Sequence, residues 1–236
     1  MLVLMTAWLQ KQAIADALAA KRRRQTMRYN YIAIEGNIGA GKTCLATMIS
    51  EQFNGKLILE QFEDNSFLPK FYKEPDKYAF PLEMSFLAER YQQLKEQLTK
   101  QDLFKTFTIS DYLFNKSLIF ARNNLQSDEY ALFTTMFTII DEFLPRPDLL
   151  VYLYLEVPNL QRNIKSRGRS YEQEIQDSYL QNIQEGYFDH IRKMNNLRVL
   201  IIDTNNIDFV NKPEDYQAIL SLIDRDYPVG VHRLTL

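Results

Sequence analysis

The sequence holds one cysteine, Cys44, and two histidines, His190 and His232, far apart in the chain. A lone cysteine excludes an intramolecular disulfide framework, and two distant histidines make no metal-ligating cluster of recognisable spacing. A chain without a disulfide framework fits a reducing compartment, so a cytoplasmic protein is expected. No apolar run approaches the roughly 18 residues that a membrane span needs, and there is no internal repeat or low-complexity tract. A strong charge of one sign is also missing, the formal net charge being −2. It is uneven: residues 1–28 carry six Lys or Arg against Asp16 alone, so that end is +5 and the remainder −7. The mildly acidic remainder argues against a nucleic-acid partner.

With 236 residues, 46% of them hydrophobic, the chain can bury one substantial core, and length alone requires no second domain. Residues 1–28 read as an N-terminal extension outside that core. "MLVLMTAWL" is apolar but lacks the preceding positive segment of a secretory signal, and "KRRRQT" supplies charge too late. The segment is basic and nearly acid-free, as a mitochondrial presequence is, yet contains no serine. It is expected to be an upstream-translated or fusion-derived remnant with Met27 as a natural start, leaving residues 29–236 as one domain.

From Tyr29 onward, runs rich in β-branched and aromatic residues alternate with stretches of helical period. The runs are "YIAIE" (31–35), "KLILEQF" (56–62), "FTISD" (107–111), "LLVYLYLEV" (149–157) and "RVLIIDT" (198–204). Several are apolar on both faces, as strands covered by helices on both sides must be. The pattern predicts an α/β fold with a five-stranded parallel sheet flanked by helices. Within "AFPLEMSFLAERYQQLKEQL", Leu82, Phe86, Leu87, Tyr91, Leu94 and Leu98 recur at three- and four-residue spacing, which predicts a helix packed by one stripe. Pro145 and Pro147 stop a preceding helix before the fourth strand.

"GNIGAGKT" follows the first strand and comprises Gly36, Asn37, Ile38, Gly39, Ala40, Gly41, Lys42 and Thr43. It matches the phosphate-loop pattern at a strand-to-helix junction. Glycines let the backbone curl so that successive N–H groups face a polyphosphate, Lys42 adds a point charge, and Thr43 offers a hydroxyl to Mg²⁺. ATP with Mg²⁺ is the expected ligand, while the motif says nothing of the phosphate acceptor.

Five further stretches carry a resemblance. "KSRGRSYEQEIQDSYLQNI", with Arg167, Arg169, Glu172 and Tyr179, resembles the lid of the deoxynucleoside kinases. "LEQF" resembles that family's base-bearing strand end through Glu60, and "FYKEPDKYAFPLE" its sugar-contacting segment through Tyr72. "IFARNNL" and "DTNNIDF" are similar to the segments after the third and fifth strands. The similarity covers roughly residues 29–225. It implies a three-layer P-loop kinase fold with a helical, arginine-rich lid, a homodimer formed through helices beside the sheet, and small-molecule nucleoside and ATP as partners.

Phosphoryl transfer asks a protein chiefly to neutralise charge and align donor with acceptor. Lys42, Thr43 with Mg²⁺, Arg167 and Arg169 would supply the positive field. Glu60, at the carboxyl end of a strand beside the phosphate loop, lies where an open α/β sheet binds ligands and would accept the proton of a nucleoside 5′-hydroxyl; it also fits a solvated strand end. By resemblance, Tyr72 and Glu172 would hold the sugar 3′-hydroxyl and Phe120 would stack on the base, although Tyr72 and Phe120 also fit core filling. Asp203 and Asp208 would lie near the donor adenine, and both also fit turn formers.

The chain departs from the family in places. Where the family usually has an acid then Arg at the end of the third strand, this sequence reads Ser110 and Asp111, and five residues later Lys116 replaces a typical Asp. Either the two form an inverted neutralising pair, or Asp111 takes over a Mg²⁺-side role. Glu83 stands where a base-reading Gln is usual, and Arg90 follows seven residues on, two turns along the same face. Carboxylates accept while Arg and Lys donate, so Glu83, Arg90 and Lys116 suit a base with ring N–H beside a carbonyl. Deoxyguanosine is placed first because the bacterial members resembled are often purine kinases. Two alternatives stay open: Glu83 and Lys116 neutralise each other, or Glu83 accepts adenine's amino hydrogens. Asn163 stands where the lid commonly has an Arg, and neighbouring Arg162 is rotated by about 100°, so it ranks below Arg167 and Arg169. A degenerate regulatory or structural subunit and a nucleoside monophosphate kinase are the competing functions.

Overall fold

The structure is a computed structural model that describes residues 26–61, 65–100 and 102–235. Most of the N-terminal extension therefore lies outside the described residues. Of its last two positions, Met27 is buried in the core, and Arg28 donates to Asp224 from its backbone N and its Nε, each at 3.2 Å.

Six parallel strands form one sheet in the order β2-β3-β1-β4-β5-β6. They are β1 (Tyr31–Gly36), β2 (Lys56–Ile58), β3 (Thr108–Ser110), β4 (Leu149–Tyr154), β5 (Arg198–Asp203) and β6 (Gly230–Thr235). The helices are α1 (Lys42–Phe53), α2 (Leu68–Lys73), α3 (Pro75–Thr99), α4 (Lys116–Asn124), α5 (Ser127–Asp141), α6 (Val157–Arg167), α7 (Asp177–Ile191) and α8 (Pro213–Ile223). Successive strand residues point to opposite faces, and both faces are covered. Ile32, Ile34, Val151 and Leu153 pack with α1, α6 and α8 on one side, whereas Ala33, Leu150 and Tyr152 pack with α7 on the other.

Five strands were expected from the sequence, and the sixth is a correction. β6 alternates half-buried and exposed residues along an edge, so it lacks the two-faced apolar run of the inner strands. β2 ends at Ile58 rather than continuing to residue 62, because the backbone N–H of Glu60 turns away to donate to Asp111 Oδ1 at 2.7 Å. β4 stops at Tyr154, and Glu156, whose N–H donates to Asn205 Oδ1 at 2.9 Å, opens α6 instead. α3 starts earlier than its stripe suggested and runs through Pro81 at the expense of one ladder hydrogen bond.

The chain leaves β1 toward β2 at one edge and later crosses from β3 to β4 on the other side. A cleft opens at such a divergence, beyond the carboxyl ends of the strands. The loop after β1 is held there by close backbone approach. Gly39 has φ 85°, and a Cβ on it would lie 2.8 Å from the Leu160 carbonyl oxygen. Gly39→Ala is therefore expected to lower stability by about 1–3 kcal/mol, read as a lower urea midpoint at unchanged m-value.

Candidate active site

One cleft gathers residues from most of the segments that the sequence singled out. Ile38, Gly39, Lys42 and Thr43 come from the loop after β1 and the start of α1, Glu60 from beyond β2, and Asp111 from beyond β3. Tyr72 comes from α2, Glu83, Phe86 and Arg90 from one face of α3, and Lys116, Phe120 and Asn124 from one face of α4. Arg167 at the end of α6, Arg169, Glu172 and Tyr179 close the opposite side. Five of these side chains are cationic (Lys42, Arg90, Lys116, Arg167, Arg169) and four are carboxyls (Glu60, Glu83, Asp111, Glu172).

Glu60 is the best-tethered carboxylate. Lys116 Nζ donates to its Oε2 at 2.6 Å and Arg90 Nε to its Oε1 at 2.8 Å, with all three side chains less than a tenth exposed. Burial alone would raise the Glu60 pKa, but the charges of Lys116 and Arg90 prevail and bring it down to about 2. Arg90 also donates to Ser117 Oγ at 2.9 Å and lies over the Phe86 ring at 4.7 Å. Lys116 lies 5.3 Å from the Phe120 ring centroid.

Asp111 and Lys116 do not bond to each other; each meets a different partner. Asp111 Oδ2 accepts from Thr43 Oγ1 at 2.6 Å while Oδ1 accepts from the Glu60 amide at 2.7 Å. A carboxylate thus stands beside the phosphate-loop hydroxyl, and a cation stands beside Glu60. Among the described residues no three His, Cys, Asp or Glu side chains converge on a metal position. The oxygens of Thr43 and Asp111 fit a hard cation such as Mg²⁺ that draws its other ligands from phosphate and water.

Lys42 Nζ donates to the carbonyls of Gly36 and Asn37, both at 2.9 Å. Burial, then the nearby Lys116, lowers its pKa to about 8. Asn37 fastens the loop to the body through Nδ2 and the Leu180 carbonyl at 2.7 Å. Asn163, at the position where an arginine was expected, donates to the Gly39 carbonyl at 2.8 Å, while Arg162 donates to Asn159. Arg167 pairs with Glu172, and Arg169 reaches the same carboxylate at 3.5 Å. Tyr72 lies against Tyr171 with ring centroids 5.9 Å apart.

Glu83 is 1% exposed. Its Oε1 accepts from Asn124 Nδ2 at 2.7 Å, and its Oε2 is buried without a hydrogen-bond partner. Asp203 and Asp208 do not line the cleft. Asp203 accepts from the backbone and side chain of Asn205, and Asp208 from those of Asn211, so both close turns. Their loop still approaches the phosphate loop, since a Cβ on Gly41 would lie 2.8 Å from the Phe209 ring.

The sequence reading missed three contributors. Glu35 is buried, accepting from the Leu113 amide at 2.7 Å and from Tyr187 Oη at 2.8 Å, and it places a carboxyl beneath Lys42 and Lys116. Phe86 was counted only in the helix stripe, although its spacing from Glu83 and Arg90 puts all three on one face. Asn124 had no local signal for its bond to Glu83.

A model of the deoxynucleoside kinase family matches residues 32–226. The deoxyguanosine kinase of Bacillus subtilis (strain 168) is 37% identical over 195 residues, which are 80% of this chain and 93% of that one. The deoxyguanosine kinase of Lactobacillus acidophilus is 32% identical over 209 residues, 84% of this chain and 92% of that one. In fold, the chain is similar to the solved deoxyadenosine kinase from M. mycoides with bound dATP, with a TM-score of 0.71 at 23% identity, covering 83% of this chain and 100% of that one.

Glu60 ionises more readily in the folded chain than in the unfolded one. Its contribution to stability is therefore complete above the ordinary carboxylate value of 4.5 and is lost as pH falls toward about 2. Glu60→Gln, which leaves Lys116 and Arg90 facing each other, is expected to cost about 3–5 kcal/mol at neutral pH and to flatten that part of the acid-unfolding curve followed by circular dichroism.

Proposed function

Because the chain belongs to the deoxynucleoside kinase family and is an enzyme of that class, we propose that it transfers the terminal phosphoryl group of ATP to the 5′-hydroxyl of a purine deoxynucleoside for nucleotide salvage, with deoxyguanosine preferred. The observation that carries this reading is the joining of Glu60, Asp111 and Thr43 in one cleft, by bonds of 2.7 and 2.6 Å, with Lys42 and the lid arginines around them.

The amides of Gly36 to Thr43 and the Lys42 ammonium take the triphosphate, with Arg167 and Arg169 meeting it from the lid. Thr43 and Asp111 would hold Mg²⁺, which when bound neutralises charge on the phosphate oxygens. Glu60 accepts the hydrogen bond of the 5′-hydroxyl. Each carboxylate oxygen has a further lone pair, so the hydroxyl is received without displacing Arg90 or Lys116. A carboxylate with a pKa of about 2 orients this nucleophile first and takes its proton late, as the new bond to phosphorus forms. Tyr72 and Glu172 hold the sugar, and Phe120 stacks on the base.

Glu83 supports the choice of base. A buried acceptor oxygen without a partner suits the ring N–H and amino hydrogens of guanine, and Arg90 nearby suits its carbonyl. Two of the relatives named above are deoxyguanosine kinases. The homodimer implied by the resemblance would use α5, on which Leu132, Ile139 and, just beyond its end, Phe143 are exposed.

With MgATP and each deoxynucleoside in turn, the deoxyguanosine 5′-monophosphate is expected to form fastest. Faster turnover of deoxyadenosine and deoxycytidine would remove the base assignment, and consumption of a deoxynucleoside monophosphate in place of the nucleoside would overturn the acceptor. Glu60→Gln is expected to lower kcat by about 10²- to 10⁴-fold, with little change in the KM for ATP.

A further inference from the structure

Glu83 is one carboxyl group with two hydrogen-bonding identities. Ionised, it presents two acceptors; protonated, it presents one donor and one acceptor. These are the complements of two different purines. Guanine offers adjacent donors at N1–H and N2–H, while adenine offers an acceptor at N1 beside a donor at N6–H. We propose that Glu83 selects the base through its own proton, ionised Glu83 taking deoxyguanosine and protonated Glu83 taking deoxyadenosine. This inference rests on the purine kinase reading above.

The geometry allows both states. Asn124 Nδ2 fixes Oε1 at 2.7 Å, which leaves Oε2, buried and unpartnered, as the oxygen that gains or loses the proton. Leu82, Phe86 and Phe71 give the surrounding wall an apolar character, so neither state is solvated by bulk water. The groups facing Glu83 come from four elements. Arg90 on its own helix and Lys116 on α4 both attract the ionised form, yet both already bond Glu60, at 2.8 and 2.6 Å. Glu60 itself, beyond β2, repels it. From α7, Tyr179 bonds Asn124 and Asn123, and burial holds its phenol well above the usual range, so it stays neutral. Burial is the largest influence on the Glu83 carboxyl, and against the pull of Arg90, Asn124 and Lys116 it raises the pKa to about 7. Both forms are thus present near neutrality.

The test is a competition between deoxyguanosine and deoxyadenosine in one reaction with saturating MgATP, from about pH 6 to about pH 8.5. Influences of pH on ATP, on Glu60 and on stability cancel in the ratio of the two kcat/KM values. That ratio is expected to rise in favour of deoxyguanosine by up to about tenfold per pH unit, the slope of a single ionisation. Glu83→Gln carries a permanent donor and acceptor, so its ratio is expected to be flat and to lie at or below the wild-type value at the acid end. A flat wild-type ratio, with both nucleosides phosphorylated, overturns the inference and leaves the kinase reading standing. A Glu83→Gln ratio that climbs with pH as the wild type's does also overturns it. If neither nucleoside is phosphorylated at any pH, the kinase reading fails and takes this inference with it. Should the variant not fold, the wild-type profile decides alone.

Discussion

Two cations and one carboxylate, shut away from water, set the terms for the rest of the cleft. Glu60 sits beyond a three-residue edge strand and stays ionised because Lys116 and Arg90 outweigh its burial. A carboxylate removed from water costs several kcal/mol unless it is paired. The placement of α3 and α4 against β2 is therefore tied to charge as well as to apolar packing. Asp111 completes the frame by joining the Glu60 amide to the Thr43 hydroxyl, so that one side chain links the end of β2 to the first turn of α1.

Cations in the cleft already have internal acceptors. Lys42 rests on two loop carbonyls, Lys116 and Arg90 on Glu60, and Arg167 on Glu172. Such a network avoids the cost of unpaired buried charge. A phosphate arriving at Lys42 or Arg167 exchanges one oxygen partner for another, so the gain is the difference between the two contacts rather than the full worth of either. Gly39 and Asn163, Asn37 and Leu180 hold the loop from outside while that exchange takes place. The loop's shape is thereby separated from the charges it presents.

What was legible in the sequence follows from the range of the forces involved. The phosphate loop, the five inner and neighbouring strands and the stripe of α3 are written in spacings of a few residues, and each appears in the structure. β6 is half exposed along its length, and an edge strand of that kind lacks the apolar run by which the others are recognised. The spacing of Asp111 and Lys116 left open a local pair beside a Mg²⁺-side role for Asp111. Their partners are instead Thr43, 68 residues from Asp111, and Glu60, 56 residues from Lys116, and no local pattern carries such pairings. Asp203 and Asp208 also fitted a turn-forming reading, and both accept from nearby Asn residues, as an Asp side chain does at little cost. Glu83 was legible as an acceptor on the face of α3, but its bond to Asn124 depends on how α3 and α4 pack.

The charges at Asp111 and Lys116 have a physical logic that is set in space rather than along the chain. Electrostatic energy depends on where charges lie in space, and the turn from β3 into α4 brings residue 111 to Glu60's backbone amide and residue 116 to its carboxylate. The cation supplied from α4 neutralises Glu60, and the strand end supplies an acid that bonds Thr43. Lysine suits the α4 position because a compact ammonium engages one carboxylate oxygen and leaves the other to Arg90. The two positions are consequently interdependent. A cation at 111 alone would add to Lys42, Lys116 and Arg90, and an acid at 116 alone would set two carboxylates against each other, so the energetics of either residue are defined only with the other in place.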